Sequence, residues 1–488
     1  RDRGGDWSSD VCSSDLAEKA EIENRMQELA REGLRVLCIA TKSVPSTSKK
    51  NVDSREWTES NLDFLGLVGL YDPPRVETAG AITACKRAGI SIHMLTGDHI
   101  DTATAIAKEI GLVTDLSFTT SNAKTIVMQG GQFDKLSEAE IDALDTLPLV
   151  LARCSPATKV RMVDALHRRQ GFCVMTGDGV NDAPALKRAD VGIAMGLNGS
   201  DVAKDAADMI LTNDDFASIV KAVEEGRRLF ANIQKFLLHL LISNIAQVLL
   251  LLIALAFRDA SGASVFPLSP LEILWVNMIT SSFLALGLGM EEKTSDIMLR
   301  PPHSLRIGVF TRELIVDKMI YGTLMGSLCL AAFVIVVHGA GGGDLGVACN
   351  EGYNPSCNVV FRARATVFAV LSFLILVTAW EVKHFSRSLF ALDPTKFPGP
   401  LGVVKALWYN RFLFWAVAAG FMITFPVVYI PVVNLVVFKH KGITWEWGVV
   451  VGCLAVYVAG IEAWKAVKRR LGIFGSKRSS AVDDGGVA

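Results

Sequence analysis

The 488 residues are 50% hydrophobic and only 20% charged, with a mean hydropathy of +0.35, whereas an average soluble domain carries about 25% charge. That length accommodates roughly two to four domains, and that apolarity excludes a wholly soluble chain, intrinsic disorder and collagen-like repeats. Lys and Arg (49) nearly cancel Asp and Glu (50), which leaves no basic surplus for a nucleic-acid binder built on phosphate contacts.

The charge is concentrated before residue 230 and the long apolar runs follow it. Residues 1–16, RDRGGDWSSDVCSSDL, lack the basic stretch and apolar run of a signal peptide. They read as a non-native leader, like translated adapter sequence, or as a disordered polar tail. From Ala17 a helical pattern runs to Gly33, a suitable C-cap. Strand-like LRVLCIATKSV follows, then a polar linker and LDFLGLVGLYDPPR.

Residues 73–218 alternate helix-like and strand-like segments. The strands are ISIHML (core 91–95), LVLAR (149–153), FCVMT (172–176), VGIAM (191–195) and MILT (209–212). Helices such as VETAGAITACKRAG and ATAIAKEIG separate them, and that alternation predicts a parallel sheet with both faces covered. After Phe230, six apolar stretches are long enough for ~20-residue spans of a ~30 Å hydrocarbon core. They lie near 234–257, 271–290, 314–338, 364–382, 409–431 and 445–464.

Basic residues cluster in the loops of one side: Lys293, Arg300, Arg306 and Arg312, then Lys383, Arg387, Lys396 and Lys405, then Lys465, Lys468, Arg469 and Arg470. By the positive-inside rule that side is cytosolic, although Lys439 and Lys441 count against it. An even number of spans then leaves the α/β region and the C-terminus both in the cytosol. Nine cysteines make no disulfide scaffold, but Cys349 and Cys357 lie eight apart in the non-cytosolic loop GVACNEGYNPSCNVV, where a disulfide is expected.

The strongest chemical signal is MTGDGVNDAPAL (175–186), in which an apolar strand ends in a turn carrying Asp178 and Asp182. Mg²⁺ favours one or two carboxylates plus phosphate and water, and strand ends are where open α/β sheets bind ligands. A second turn, MLTGDH (94–99), places Thr96, Gly97 and Asp98 at another strand end, a hydroxyl and a backbone N–H suited to phosphoryl oxygen. Lys159 follows LVLAR and the turn Cys154-Ser155-Pro156, where it can neutralise a transferring phosphoryl group.

These three elements in this order resemble the haloacid-dehalogenase phosphotransfer scaffold and, more closely, the P-type ATPases. GLYDPPR (69–75) is similar to the hinge of that family and SDVAKDAADMILTNDDFASIVKAVEEGR (200–227) to its lead into the membrane. The resemblance covers about Leu34 to Lys465. It implies an α/β haloacid-dehalogenase-like phosphorylation domain with a Rossmann-like parallel sheet, joined to an all-α bundle of six transmembrane helices. Its divisions are 1–16 as leader, 17–72 as the remnant of a nucleotide-binding domain, 73–229 as phosphorylation domain, 230–466 as spans and 467–488 as a disordered cytosolic tail.

The same resemblance implies ATP and Mg²⁺ as cofactors. Asp178 and Asp182 would organise Mg²⁺, Thr96, Gly97 and Lys159 would hold phosphate, and Asn181 would shape the loop. Asp98 is similar to the acidic residue of the family's second turn, and Asp72, Arg75 and Arg153 would lie on the nucleotide side. One departure bears on activity: no DKTGT-type nucleophile string occurs, and Asp134-Lys135 and Asp317-Lys318 do not continue into it. Covalent catalysis needs its nucleophile, so the chain as given is expected to form no phosphoenzyme and to transport nothing.

Polar residues inside spans mark ion pathways by default. Ser243, Asn244 and Gln247 lie in the first span, and Asn277, Thr280, Ser281 and Ser282 in the second; the competing reading is interhelical hydrogen bonding. Similar segments of calcium pumps carry carboxylates where Gln247 and Ser281 stand, and neutral oxygens suit a monovalent ion. SNIAQV, ILWVNMITSSF and LGLGMEEKTSDIMLRPPH resemble the fungal sodium-exporting branch, which implies export of Na⁺, with K⁺ or Li⁺, through a plasma-membrane protein. Leu284 departs from the Pro that follows SSF in that branch. Glu381 reads as a further ligand or an interface charge. Two other readings remain: a Ca²⁺ or other cation pump, and a non-catalytic membrane partner of intact pumps.

Overall fold

The computed structural model describes residues 16–43, 62–71, 73–114, 126–304, 307–393, 396–399 and 401–473. Residues 1–15, Asp72, Arg306 and 474–488, on which parts of the leader, hinge, loop-charge and tail expectations fall, lie outside them. Contacts divide the chain into two units, Arg1–Glu224 with Met298–Pro302, and Glu225–Ile297 with His303–Ala488.

In the first unit, helix α1 (Leu16–Arg31) ends before Gly33, whose φ of +86° closes it as a left-handed C-cap. Strands β1 (Arg35–Thr41) and β2 (Asp63–Leu70) pair antiparallel. The expected single parallel sheet is two three-stranded parallel sheets. One has the order β3-β5-β4, from β3 (Met94–Leu95), β4 (Val127–Gln129) and β5 (Val150–Ala152). The other runs β6-β7-β8, from β6 (Val174–Gly177), β7 (Val191–Met195) and β8 (Met209–Leu211).

The apolar run of β5 is explained by burial on both faces. Val150 and Ala152 enter one core with Ile82, Ala103 and Val113, while Leu151 enters another with Phe133, Ile141 and Met162. Leu95 of β3 packs against Leu151's cluster and also against the cluster of Met175 and Ala194. Helices α2 (Val76–Arg87), α3 (Ile100–Glu109), α4 (Glu138–Ala143), α5 (Pro156–Arg168), α6 (Ala183–Arg188) and α7 (Asp201–Ala206) supply the covering faces.

Six helices among the described residues are long and apolar enough to cross a membrane: Phe216–Ala254, Pro270–Gly289, Arg312–Gly339, Pro355–Glu381, Arg411–Tyr429 and Trp447–Leu471. The boundary between the units falls within the first. The middle of the fourth span is apolar on every side, as a segment buried all round must be: Val367 to Leu371 are each 0% exposed. Gly326 of the third span brings that helix against the first, where a Cβ would stand 3.1 Å from the Ala246 carbonyl. The second span is interrupted by a π-helical turn, Val276–Thr280, before α-helix resumes at Ser281–Gly289. Leu284, where the resemblance led to a proline, is fully buried in that regular segment.

The loop between the third and fourth spans is held covalently and by charge. Cys349 and Cys357 form a disulfide. The guanidinium of Arg364, 2% exposed, donates to the carbonyls of Phe266 and Cys349 at 2.8 Å each and to Asn350 Oδ1 at 2.6 Å. Replacing both cysteines with serine is expected to cost about 2–3 kcal/mol through the freed unfolded chain. Thermal unfolding of the purified chain in lipid nanodiscs measures this, and an unchanged midpoint would overturn it.

Candidate functional site

In the α/β unit two of the three motif-bearing turns, at 94–99 and 153–156, are joined by main-chain bonds at strand ends, and the third is reached by the Lys159 side chain. The N–H of Cys154 donates to the Thr96 carbonyl at 2.9 Å and that of Arg153 to the Asp98 carbonyl at 3.0 Å. Arg153 adopts φ +52°, a left-handed conformation for a non-glycine residue. Within the TGD turn, Thr96 Oγ1 donates to Asp98 Oδ2 at 2.9 Å and accepts from the Asp98 N–H at 3.1 Å. The Arg35 guanidinium stands 3.6 Å from the other Asp98 oxygen. Gly97 is exposed, and nothing lies within 4 Å of where its Cβ would be, so a ligand can approach its backbone.

Lys159 is aimed by the start of α5. Ser155 caps that helix and exchanges bonds with Thr158, with Pro156 at the first helical position. Thr158, fully buried, donates in turn to Asp134 Oδ2 at 2.6 Å. From this anchored turn the Lys159 ammonium reaches Asp182, and the pair is 12% and 9% exposed. The second Asp182 oxygen accepts the Gly179 N–H at 3.3 Å. Asp178 and Asn181 are exposed beside it, and the Asp178 carbonyl accepts the Ser200 N–H at 2.8 Å.

The structure thus brings Lys159 to Asp182 and Thr96 to Asp98. Arg75 instead donates to the Asn213 carbonyl at 3.0 Å, and Asp72 lies outside the described residues. Among the described residues no group of three or more His, Cys, Asp or Glu converges. A cation here would therefore rest on one or two carboxylates with water and phosphate completing it, the donor set that suits Mg²⁺. Burial pushes the Cys154 thiol up to about 11 despite the nearby Lys159 charge. It stays protonated at neutral pH and offers no replacement nucleophile.

Two supports were not read from the sequence. The Asp134–Thr158 bond joins residues 24 apart and becomes visible only once the chain folds. Asp214 accepts the N–H groups of Gly196, Leu197 and Asn198 at 2.6, 3.0 and 2.8 Å and so fixes the loop after β7. The T-N-D-D string around it carries a turn signal that could have suggested this.

In the second unit, Gln247 and Asn277 form a reciprocal amide pair. Gln247 Nε2 donates to Asn277 Oδ1 at 3.1 Å and Asn277 Nδ2 to Gln247 Oε1 at 3.2 Å. Asn277 sits in the π-helical turn of the second span, with Thr280 closing it. Thr280 and Ser281 are buried, and among the described residues the Ser281 hydroxyl has no hydrogen-bond partner. Asn244 stands apart on an exposed face of the first span. Ser243 is satisfied by its own helix, donating to the Leu240 carbonyl at 2.9 Å.

Comparison with known proteins identifies the domains in which these residues lie. Residues 265–467 match the family described as cation transporting ATPase, C-terminus, and 13–77 match P-type ATPase, cytoplasmic domain N. Residues 46–190 and 161–223 match haloacid dehalogenase-like hydrolases. A sodium/potassium exporting P-type ATPase of Schizosaccharomyces pombe is 52% identical over 454 residues, 92% of this chain and 43% of that protein. Sodium/potassium exporting P-type ATPase 1 of Saccharomyces cerevisiae is 51% identical over 457 residues, 92% of this chain and 42% of that protein. Calcium-transporting ATPase 1 of Bacillus cereus is 38% identical over 439 residues, 89% of this chain and 45% of that protein. The chain spans less than half the length of these relatives. It carries the domains of the P-type cation-transporting ATPases and belongs to that family.

Proposed function

We propose that the chain supplies the phosphoryl-handling and ion-conducting parts of an ATP-driven pump that exports monovalent cations, Na⁺ with K⁺ or Li⁺. The observation that carries the ion assignment is the Gln247–Asn277 pair beside the unpartnered Ser281 hydroxyl. These donors are neutral oxygens, whereas Ca²⁺ takes six to eight oxygens with carboxylates among them. The names of the two fungal relatives support the same ion class.

In this reading Lys159 neutralises a phosphoryl group while Thr96 and the Gly97 N–H hold its oxygens, with Asp98 orienting Thr96 and Asn181 shaping the opposite turn. Asp178 and Asp182 would hold Mg²⁺, which supplies charge neutralisation at the phosphate oxygens. ATP would approach on the side of Asp72, Arg75 and Arg153. The whole pump would cycle through an aspartyl phosphate whose aspartate is not in these 488 residues. Strands β3 and β6 each end in a phosphate-type turn and lie at the margin of their sheets. We assign the strand that delivers the aspartate to those two edges. By loop charge, the α/β unit and the C-terminus face the cytosol across the plasma membrane.

The test is equilibrium binding of radiolabelled sodium and calcium to the purified chain in lipid nanodiscs. Sodium is expected to bind more tightly than calcium, and Asn277→Ala to weaken it about tenfold through loss of a buried oxygen donor. Tighter calcium binding would overturn the ion assignment. Incubation with labelled ATP is expected to yield no acylphosphate, and its appearance would overturn the inactivity of the isolated chain.

A further inference from the structure

We infer that Lys465 is an internal counter-cation whose ammonium occupies the Glu381 carboxylate inside the bundle and withholds it from the transported ion. The inference rests on the reading of Gln247 and Asn277 as the ion pathway. It adds a residue that sets which cations that pathway accepts.

A lysine near the end of a span ordinarily extends its head to the interface. Lys465 lies in the last turns of the sixth span yet is 1% exposed, and Glu381, at the end of the fourth, is 0% exposed. The ammonium is held twice, 2.6 Å from Glu381 Oε2 and 2.8 Å from the Glu381 main-chain carbonyl. Glu462 stands 3.8 Å from it on the same helix. A tethered charge of this kind occupies the place that a free cation would otherwise take.

The carboxylate is only half used. Among the described residues, Glu381 Oε1 is buried with no hydrogen-bond partner, and so is the hydroxyl of Tyr321 on the third span. Hydroxyls lie on the same spans: Thr378, three residues before Glu381 on the fourth, shares a hydrogen bond of 2.7 Å with Tyr457 of the sixth. Freed of Lys465, a buried carboxylate with neighbouring hydroxyls is a hard oxygen set of the kind that binds divalent cations. With Lys465 in place its charge is already matched, and the pathway keeps neutral ligands.

A latch that merely joined the fourth and sixth spans would leave cation binding unchanged. The test therefore reads radiolabelled calcium and sodium binding to the purified chain in nanodiscs. Lys465→Met is expected to tighten calcium binding about tenfold or more, and Glu381→Gln added to it to return calcium to the wild-type level. Removing both charges together spares the fold the cost of an unpaired ion, and where Lys465→Met fails to fold, Lys465→Gln, which keeps a polar head without the charge, carries the calcium measurement with the same expected gain. The double variant's sodium affinity is expected to stay within about twofold of wild type. A folded Lys465→Met or Lys465→Gln chain with unchanged calcium binding overturns the inference, as does a roughly tenfold loss of sodium affinity in the double variant. Asn277→Ala in the same assay separates the two readings: unchanged sodium binding there removes the pathway assignment, while the calcium gain still judges Lys465.

Discussion

Replacing Lys468 with methionine is expected to destabilise the membrane unit by about 3–5 kcal/mol, the usual cost of stranding one partner of a buried ion pair. Lys468 is 0% exposed and donates to Asp317 Oδ2 at 2.7 Å, to Glu313 Oε1 at 3.1 Å and to the Phe385 carbonyl at 2.5 Å. Asp317, also 0% exposed, would keep only the Trp464 indole N–H, 2.7 Å from its other oxygen, as a strong donor among these contacts. Lys468→Met with Asp317→Asn removes both charges and should recover most of the loss. Unfolding in nanodiscs measures both. A single variant within about 1 kcal/mol of wild type would show that water or lipid headgroups satisfy Asp317.

Gly177→Ala is expected to cost the α/β unit about 2–4 kcal/mol, combining overpacking with a lost charge-assisted bond. A Cβ at Gly177 would stand 2.5 Å from Asp182 Cβ and 2.7 Å from its Cγ. These are atoms close to the backbone, and Asp182 is pinned by Lys159 and by the Gly179 N–H. The carboxylate must leave, and the Lys159 contact with it. Native-state hydrogen exchange at Gly179 and Asp182 is expected to accelerate. Gly97→Ala supplies the contrast: it meets nothing within 4 Å, so its stability should fall within about 0.5 kcal/mol of wild type. Equal losses at the two glycines would refute the steric account.

The sequence announced the phosphate turns because each is a local event: an apolar strand, a glycine and a carboxylate within a few residues. The spans were equally legible, since length and apolarity alone identify them. Strand β4 was not, because three residues of Val127–Gln129 carry too little pattern to separate from a loop. The division into two sheets was also hidden. Pairing between strands far apart in sequence is a tertiary matter, and β5 reads the same whichever sheet receives it. In the bundle, Lys465, Lys468 and Lys383 counted as loop charge that fixes orientation. The structure instead pairs each of them with a buried or nearly buried carboxylate: Glu381, Asp317 and Glu291. Charge counting sees the residue type and not the direction in which the side chain turns.

The π-helical turn at Val276–Thr280 also sets the phase of the second span. Its buried stripe runs Glu272, Val276, Thr280, Leu284 and Leu288, at intervals of four residues. An unbroken α-helix drifts by about 40° at each such step, because 3.6 residues complete a turn. The wider turn absorbs part of that drift and keeps both halves of the span facing one core. Tightening it to α geometry would rotate the segment beyond it about its own axis and swing Ser281 away from the buried stripe, while Glu272 and Val276 stayed in place. A few backbone hydrogen bonds thus act as the joint on which the polar face of this helix turns.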